Sequence, residues 1–257
     1  MLQDRQFEWT SDSVEAFWNF ESRFPERYFT YLNADGMLKS LHRYLVNAES
    51  ILDYGCGTGL FLARLAEQGY RVAGTDTSER SLEIARERLQ GYSTFLGVFP
   101  PDALGKEDRQ FDVILATELV EHLYDDWLDH VLSTLRRLIK PDGCIIVTTP
   151  NQERLEDSLL MCPCCQSVFH RWQHLRMWSQ ASFTDYVERR GFRVIDAFTT
   201  DFFKERWRKL PWWKKLKKSL RGKAPMKKSP PAELPNLVVV FQPKPEASGE
   251  HIRSDAR

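Results

Sequence analysis

The stretch Ile51-Leu52-Asp53-Tyr54-Gly55-Cys56-Gly57-Thr58-Gly59 decides how the rest of the chain is read. A short apolar run ends on an acid. Three glycines alternate through the turn that follows, and Leu60 to Glu67 then has the composition of a helix. The spacing predicts a strand, a tight glycine turn and a helix N-terminus. Glycines let the backbone approach a ligand closely, and the first turn of a helix offers N–H groups with no partner inside the helix. A glycine turn alone is a weak signal, because dinucleotide sites also use one.

What comes next sharpens it. Tyr70 to Thr75 reads as a second strand with Asp76 at its end. A carboxylate in that place can accept both hydroxyls of a ribose. The turn departs from the Gly-x-Gly-x-x-Gly spacing of a dinucleotide site. With these residues the chain resembles the class I S-adenosylmethionine (SAM) methyltransferases. Asp53-x-Gly55-x-Gly57-x-Gly59 is similar to their first motif, and Asp76 to their ribose-binding acid. The resemblance runs from about Ala48 to Phe241. It implies that Gly55, Gly57 and Gly59 line the methionine part of SAM, that Asp53 supports the turn, and that Thr117 lies on the cofactor side.

From Ala48 onward strand and helix patterns alternate, which argues for a parallel α/β sheet. Strands are expected near 50–54, 71–75, 92–97, 111–116, 143–149, 192–200 and 236–242. Helices are expected near 58–68, 78–90, 125–139 and 179–190. The fold class is therefore α/β, a seven-stranded, mainly parallel, Rossmann-like sheet with helices on both faces. Residues 1–47 form an N-terminal helical cap, with helices at Ser13–Glu21 and Asp35–Val46 split by Pro25. The aromatic residues Phe17, Trp18, Phe20, Phe24, Tyr28, Phe29 and Tyr31 suit either a lid or core packing. Residues 48–242 form the methyltransferase domain, with a Cys/His loop at 151–178 and a basic aromatic insert at 203–235. The tail at 243–257 is polar and expected to be disordered.

Bulk properties narrow the function classes. A chain of 257 residues, 42% hydrophobic, suits one large domain with additions. No apolar run reaches membrane-spanning length. Met1 to Thr10 lacks an apolar signal segment, so a cytoplasmic chain is expected. Five cysteines, three of them within Cys162-Pro163-Cys164-Cys165, fit reduced thiols or a metal better than a disulfide framework. The net charge is zero, yet Lys204 to Lys228 is strongly basic with Glu205 as its only acid. The remaining body is net acidic and disfavours long nucleic acid.

Phe111 to Thr117 is the fourth strand, and Glu118-Leu119-Val120-Glu121-His122 follows it. In open α/β sheets the ligand crevice lies beyond the carboxyl ends of the strands. Spacings of three and four would gather Glu118, Glu121 and His122 on one helical turn. Two carboxylates and an imidazole suit Mg, Mn or Zn. His122, with Glu121, is the candidate catalytic pair if no metal is used, because imidazole titrates near neutral pH. Glu-x-x-Glu-His with a distant His also resembles the small-RNA 3′-terminal 2′-O-methyltransferases and the ubiquinone-biosynthesis O-methyltransferases. That resemblance implies a divalent ion on Glu118, Glu121, His122 and His174 that binds substrate hydroxyls.

Cys162 and Cys165 have C-x-x-C spacing, with His170 and His174 four residues apart beyond them. This is a second candidate, a zinc site on Cys162, Cys165 and His170. His174 does not comfortably serve both. The segment also resembles Cys-Pro-x-Cys and Phe-His-Arg-Trp-Gln-His stretches of bacterial methyltransferases of surface-glycan type.

In the insert, Trp213, Leu216 and Leu220 share one helical face ringed by lysines. That pattern suits a helix lying on an anionic membrane face, which makes residues 206–221 a candidate peripheral contact on the inner face. The expected acceptor is an oxygen on a small, glycan-like or lipid-linked molecule. Two other readings stand beside it: RNA 2′-O-methylation through the metal residues, and a non-catalytic SAM-fold protein that docks on a partner.

Overall fold

Apolar residues alternate between the two faces of the central strands, so both faces need cover. Ile51, Val113, Leu115, Ile146, Val238 and Val240 belong to one buried cluster. Leu52, Ile114, Ala116, Ile145, Val147, Leu237 and Val239 belong to the other. Such a strand is stable only between two helical layers. Each fully buried side chain of this kind contributes about 1.5–3 kcal/mol.

The computed structural model describes residues 5–104, 110–204 and 234–245. In chain order the elements are β1 (Arg5–Gln6), α1 (Ser11–Glu21), α2 (Phe29–Leu45), β2 (Ser50–Tyr54), α3 (Leu60–Glu67), β3 (Arg71–Thr75), α4 (Glu79–Leu89) and β4 (Phe95–Phe99). Then come α5 (Pro101–Leu104), β5 (Phe111–Thr117), α6 (Asp125–Leu138), β6 (Ile139–Pro150), β7 (Leu159–Met161), β8 (Ser167–His170), α7 (Gln180–Arg189), β9 (Phe192–Thr200) and β10 (Asn236–Pro243). The main sheet has seven strands in the order β4-β3-β2-β5-β6-β10-β9. The pairs from β4 through β6 are parallel, and β10 runs antiparallel to both β6 and β9. This is the expected α/β, mainly parallel, Rossmann-like sheet. The strand order reverses between β2 and β5, which places a crevice beyond their carboxyl ends.

Several elements differ from expectation. The second helix starts at Phe29 rather than Asp35, directly after a short 3₁₀ turn at Pro25–Arg27. Its Gly36 lies against the chain after β9, where a Cβ would fall 2.1 Å from the Phe202 carbonyl oxygen. β4 is shifted to Phe95–Phe99, because Tyr92 and Phe95 N–H groups close turns onto Leu89 and Tyr92 carbonyls. A small sheet, β1-β8-β7, was not anticipated. In it Arg5 and Gln6 pair in parallel with Ser167 and Val168. The basic aromatic insert falls almost wholly, and the tail from 246 onward wholly, outside the described residues. Among the described residues no helix is long and apolar enough to cross a membrane.

Candidate active site

The glycine turn joins β2 to α3. The N–H groups of Gly55 and Cys56 both donate to the Thr75 carbonyl, which hooks the turn to the end of β3. Gly57 and Gly59 have φ of +52° and +71°, a left-handed backbone that glycine adopts without strain. The Asp76 carboxylate accepts the Gly57 N–H at 2.9 Å and the Ser78 N–H at 2.9 Å. Asp53 is buried at the end of β2, and its Oδ1 has no hydrogen-bond partner. Burial, reinforced by the Asp76 charge, pushes its carboxyl up to about 7 against the Thr117 hydroxyl, which lowers it. A buried acid with one unpartnered oxygen, and a second acid at the end of the neighbouring strand, fit a ligand that is cationic at one end and rich in hydroxyls at the other.

The N-terminal segment covers this turn. Tyr28 lies where a Cβ at Gly57 would come within 2.7 Å of its ring. Ser78 donates its hydroxyl to Asn19 Oδ1 at 2.6 Å. Trp18 packs edge-on to His122 with ring centroids 5.1 Å apart, and its Nε1–H donates to Gln173 Oε1 at 3.2 Å. The aromatic stripe thus spans the glycine turn and the polar cluster next to it.

That cluster starts at Glu118, whose φ of +50° breaks the chain out of β5. Residues 118–122 do not form the expected α-helical turn. Val120–His122 is a 3₁₀ turn, and all three of its carbonyls are held by the segment after β8. The Trp178 indole N–H donates to the Val120 carbonyl, the Leu175 N–H to that of Glu121 and the Gln173 amide to that of His122. These bonds bring His174 to Glu121 and His122, with one ligand atom of each lying within 4.8 Å of the others. Thr149 donates to Glu121 Oε2 and Thr148 to Glu118 Oε1, both at 2.9 Å. Glu118 borders the group through its charge and does not complete it at that distance.

Electrostatics show the strain of this arrangement. Burial, aided by the neighbouring Glu118 charge, drives the Glu121 carboxyl well above its ordinary range. Burial, aided by His174, drives His122 well below its own. Glu121 Oε1 and His122 Nδ1 are buried without hydrogen-bond partners. Buried polar atoms are rarely left unpaired. Carboxylate oxygens and neutral imidazoles converging without partners fit a divalent cation, and this donor set suits Mg, Mn or Zn.

The expected zinc set on Cys162, Cys165 and His170 is not assembled. Cys162 and Cys165 sit together at the tip of the β7–β8 hairpin, where the Cys162 N–H donates to the Ser167 carbonyl. His170 is at the hairpin's other end, opposite Leu159. It joins Glu153 and His174 instead. Glu153 escaped notice in the sequence, although its place just after β6 is at the ligand-facing edge. A separate cleft of about 390 Å³, lined by residues such as Arg71 and Lys140, opens at the amino ends of the strands, away from all of these groups.

Residues 22–197 match the methyltransferase-domain family model. The chain belongs to the methyltransferase family. Its class I, Rossmann-like fold is also that of the solved DhpI–SAH complex, with a TM-score of 0.60 at 14% identity over 91% of this chain and 97% of that one. The methyltransferase domain of bacterial CtHen1 superposes with a TM-score of 0.54 at 19% identity, over 84% of this chain and all of that one. Among curated proteins, the ubiquinone biosynthesis O-methyltransferase of Sinorhizobium medicae is 35% identical over 104 residues, 40% of this chain and 41% of that protein. That of Roseobacter denitrificans is 36% identical over the same length and the same shares. The matched region thus spans about two fifths of the curated relatives.

Proposed function

We propose that the protein transfers the methyl group of SAM to a hydroxyl oxygen of a small acceptor, glycan-like or lipid-linked. A divalent cation would be held by Glu121, His122 and His174, with Glu118 beside them. The observation that carries this reading is the meeting of those three side chains at the carboxyl edge of the sheet, next to the glycine turn. Relatives named for O-methylation in ubiquinone biosynthesis support an oxygen acceptor.

Gly55, Gly57 and Gly59 would line the methionine part of SAM. Asp53, ionised, would face its amino group with Thr117 alongside, and Asp76 would accept the ribose hydroxyls. When bound, the cation supplies Lewis acidity that lowers the pKa of an acceptor hydroxyl. The chain's own contribution is placement. The 3₁₀ turn holds Glu121 and His122, Gln173 ties that turn to Trp18, and Trp18 packs edge-on against His122. In-line placement of two reactants is itself a large part of the rate of such a transfer. Residues 206–221 would hold this edge against an anionic membrane face, bringing it to a lipid-linked acceptor.

A second reading, RNA 2′-O-methylation, is favoured by the same Glu-x-x-Glu-His residues and opposed by the acidic body. The test is labelled methyl transfer into fractionated cell extract, with and without a chelator. Chelator-sensitive label in lipid or saccharide supports the proposal. Ribonuclease-sensitive label replaces it with the second reading.

A further inference from the structure

Two groups of three residues share His174: Glu121, His122 and His174, and Glu153, His170 and His174. Proton positions separate their roles. His170 Nδ1 accepts the backbone N–H of His174 at 3.2 Å and that of Trp172 at 3.4 Å. A neutral imidazole has one acceptor nitrogen, so the His170 proton sits on Nε2. That Nε2 is buried, has no hydrogen-bond partner and stands 3.7 Å from Glu153 Oε1. It is therefore a donor and not a metal ligand. The other carboxylate oxygen, Glu153 Oε2, lies 2.5 Å from His174 Nδ1. An ionised carboxylate only accepts, so His174 carries its proton on Nδ1 and its lone pair on Nε2. Nε2 is the nitrogen left for the group with Glu121 and His122.

We infer that Glu153, which lies beside His170, is a positioning carboxylate: it fixes His174 as the Nδ1–H tautomer and aims the Nε2 lone pair at the cation site. The inference rests on the reading of Glu121, His122 and His174 as cation ligands. It also excludes the second group as a cation site of its own, because His170 has no free lone pair. Carboxylates behind a ligating histidine characteristically fix its tautomer and raise its basicity, and removing one weakens metal binding about 10–100-fold.

Two measurements on the full chain test it. Long-range ¹H–¹⁵N spectra of the metal-free protein should show His174 protonated on Nδ1 and His170 on Nε2. In Glu153→Ala, His174 should move toward the Nε2–H form. Mn²⁺ titration followed by electron paramagnetic resonance should show affinity about 10–100-fold weaker in Glu153→Ala. Glu153→Gln, which keeps an acceptor for the Nδ1–H, should recover most of that loss. His174 found as Nε2–H in the native protein would overturn the inference. So would unchanged Mn²⁺ affinity in Glu153→Ala, or a loss as complete as in His174→Ala with no recovery by Gln. A native protein that takes up no Mn²⁺ would overturn the cation reading instead, and the tautomer spectrum would still decide the role of Glu153.

Discussion

The Gly57 N–H donates to Asp76 Oδ2 at 2.9 Å. The acid at the end of β3 therefore also fixes the backbone of the turn that follows β2. Its two oxygens accept the Gly57 and Ser78 N–H groups, and a carboxylate has acceptor capacity beyond two bonds.

Asp76→Asn should weaken SAM binding about 10–100-fold, the loss of a charge-assisted hydrogen bond worth about 1.5–3 kcal/mol. The side-chain amide can accept only one of the two backbone N–H groups, so the melting temperature should fall as well. Calorimetric titration with SAM measures this, and unchanged affinity would sink the ribose assignment.

Asp53 makes SAM binding pH-dependent. Its folded pKa of about 7 lies above the ordinary 3.8 because burial penalises the charge. The sign follows: the folded state favours the protonated acid, so its stabilising effect is complete below pH 3.8 and is lost as pH rises through about 7. Asp53→Asn should thus raise the melting temperature at pH 8. The charged form is the one that suits a cationic amino group. SAM affinity should rise from pH 6 to pH 8 in the native protein and stay flat in Asp53→Asn. A native profile as flat as the variant's would remove Asp53 from cofactor binding.

Much of this was legible from residues. Ile51–Asp53 and Val238–Val240 are apolar runs flanked by turn signals, so the strands and their alternation with helices could be placed. The polar cluster was only half legible. Glu118, Glu121 and His122 are near in sequence, but spacing implied an α-helical turn. The left-handed backbone at Glu118 leads into a 3₁₀ turn, so Glu118 falls to the side. Glu153 carries no motif. Its role appears only when Asn151 bridges to Trp178 and the loop after β6 meets the segment after β8. Likewise the C-x-x-C spacing was visible, while the β7–β8 hairpin that separates it from His170 is announced by no pattern.

The hairpin tip offers a simpler test. Hydrogen bonds from the Ser167 hydroxyl and N–H lower the exposed Cys165 thiol to about 7, whereas burial pushes Cys56 well above the usual range. At pH 7.5 iodoacetamide should label Cys165 first and leave Cys56 untouched until the protein unfolds. Mass spectrometry of digests reads the order. Zinc released on labelling would show that Cys162 and Cys165 hold a metal after all.

Methyl transfer from labelled SAM into fractionated extract, run with Mn²⁺ or Mg²⁺ and again with a chelator, bears most directly on the central claim. The account expects label in the organic-soluble or saccharide fraction that disappears with the chelator and in Glu121→Ala. Label indifferent to both treatments would contradict the cation site, and ribonuclease-sensitive label would contradict the acceptor.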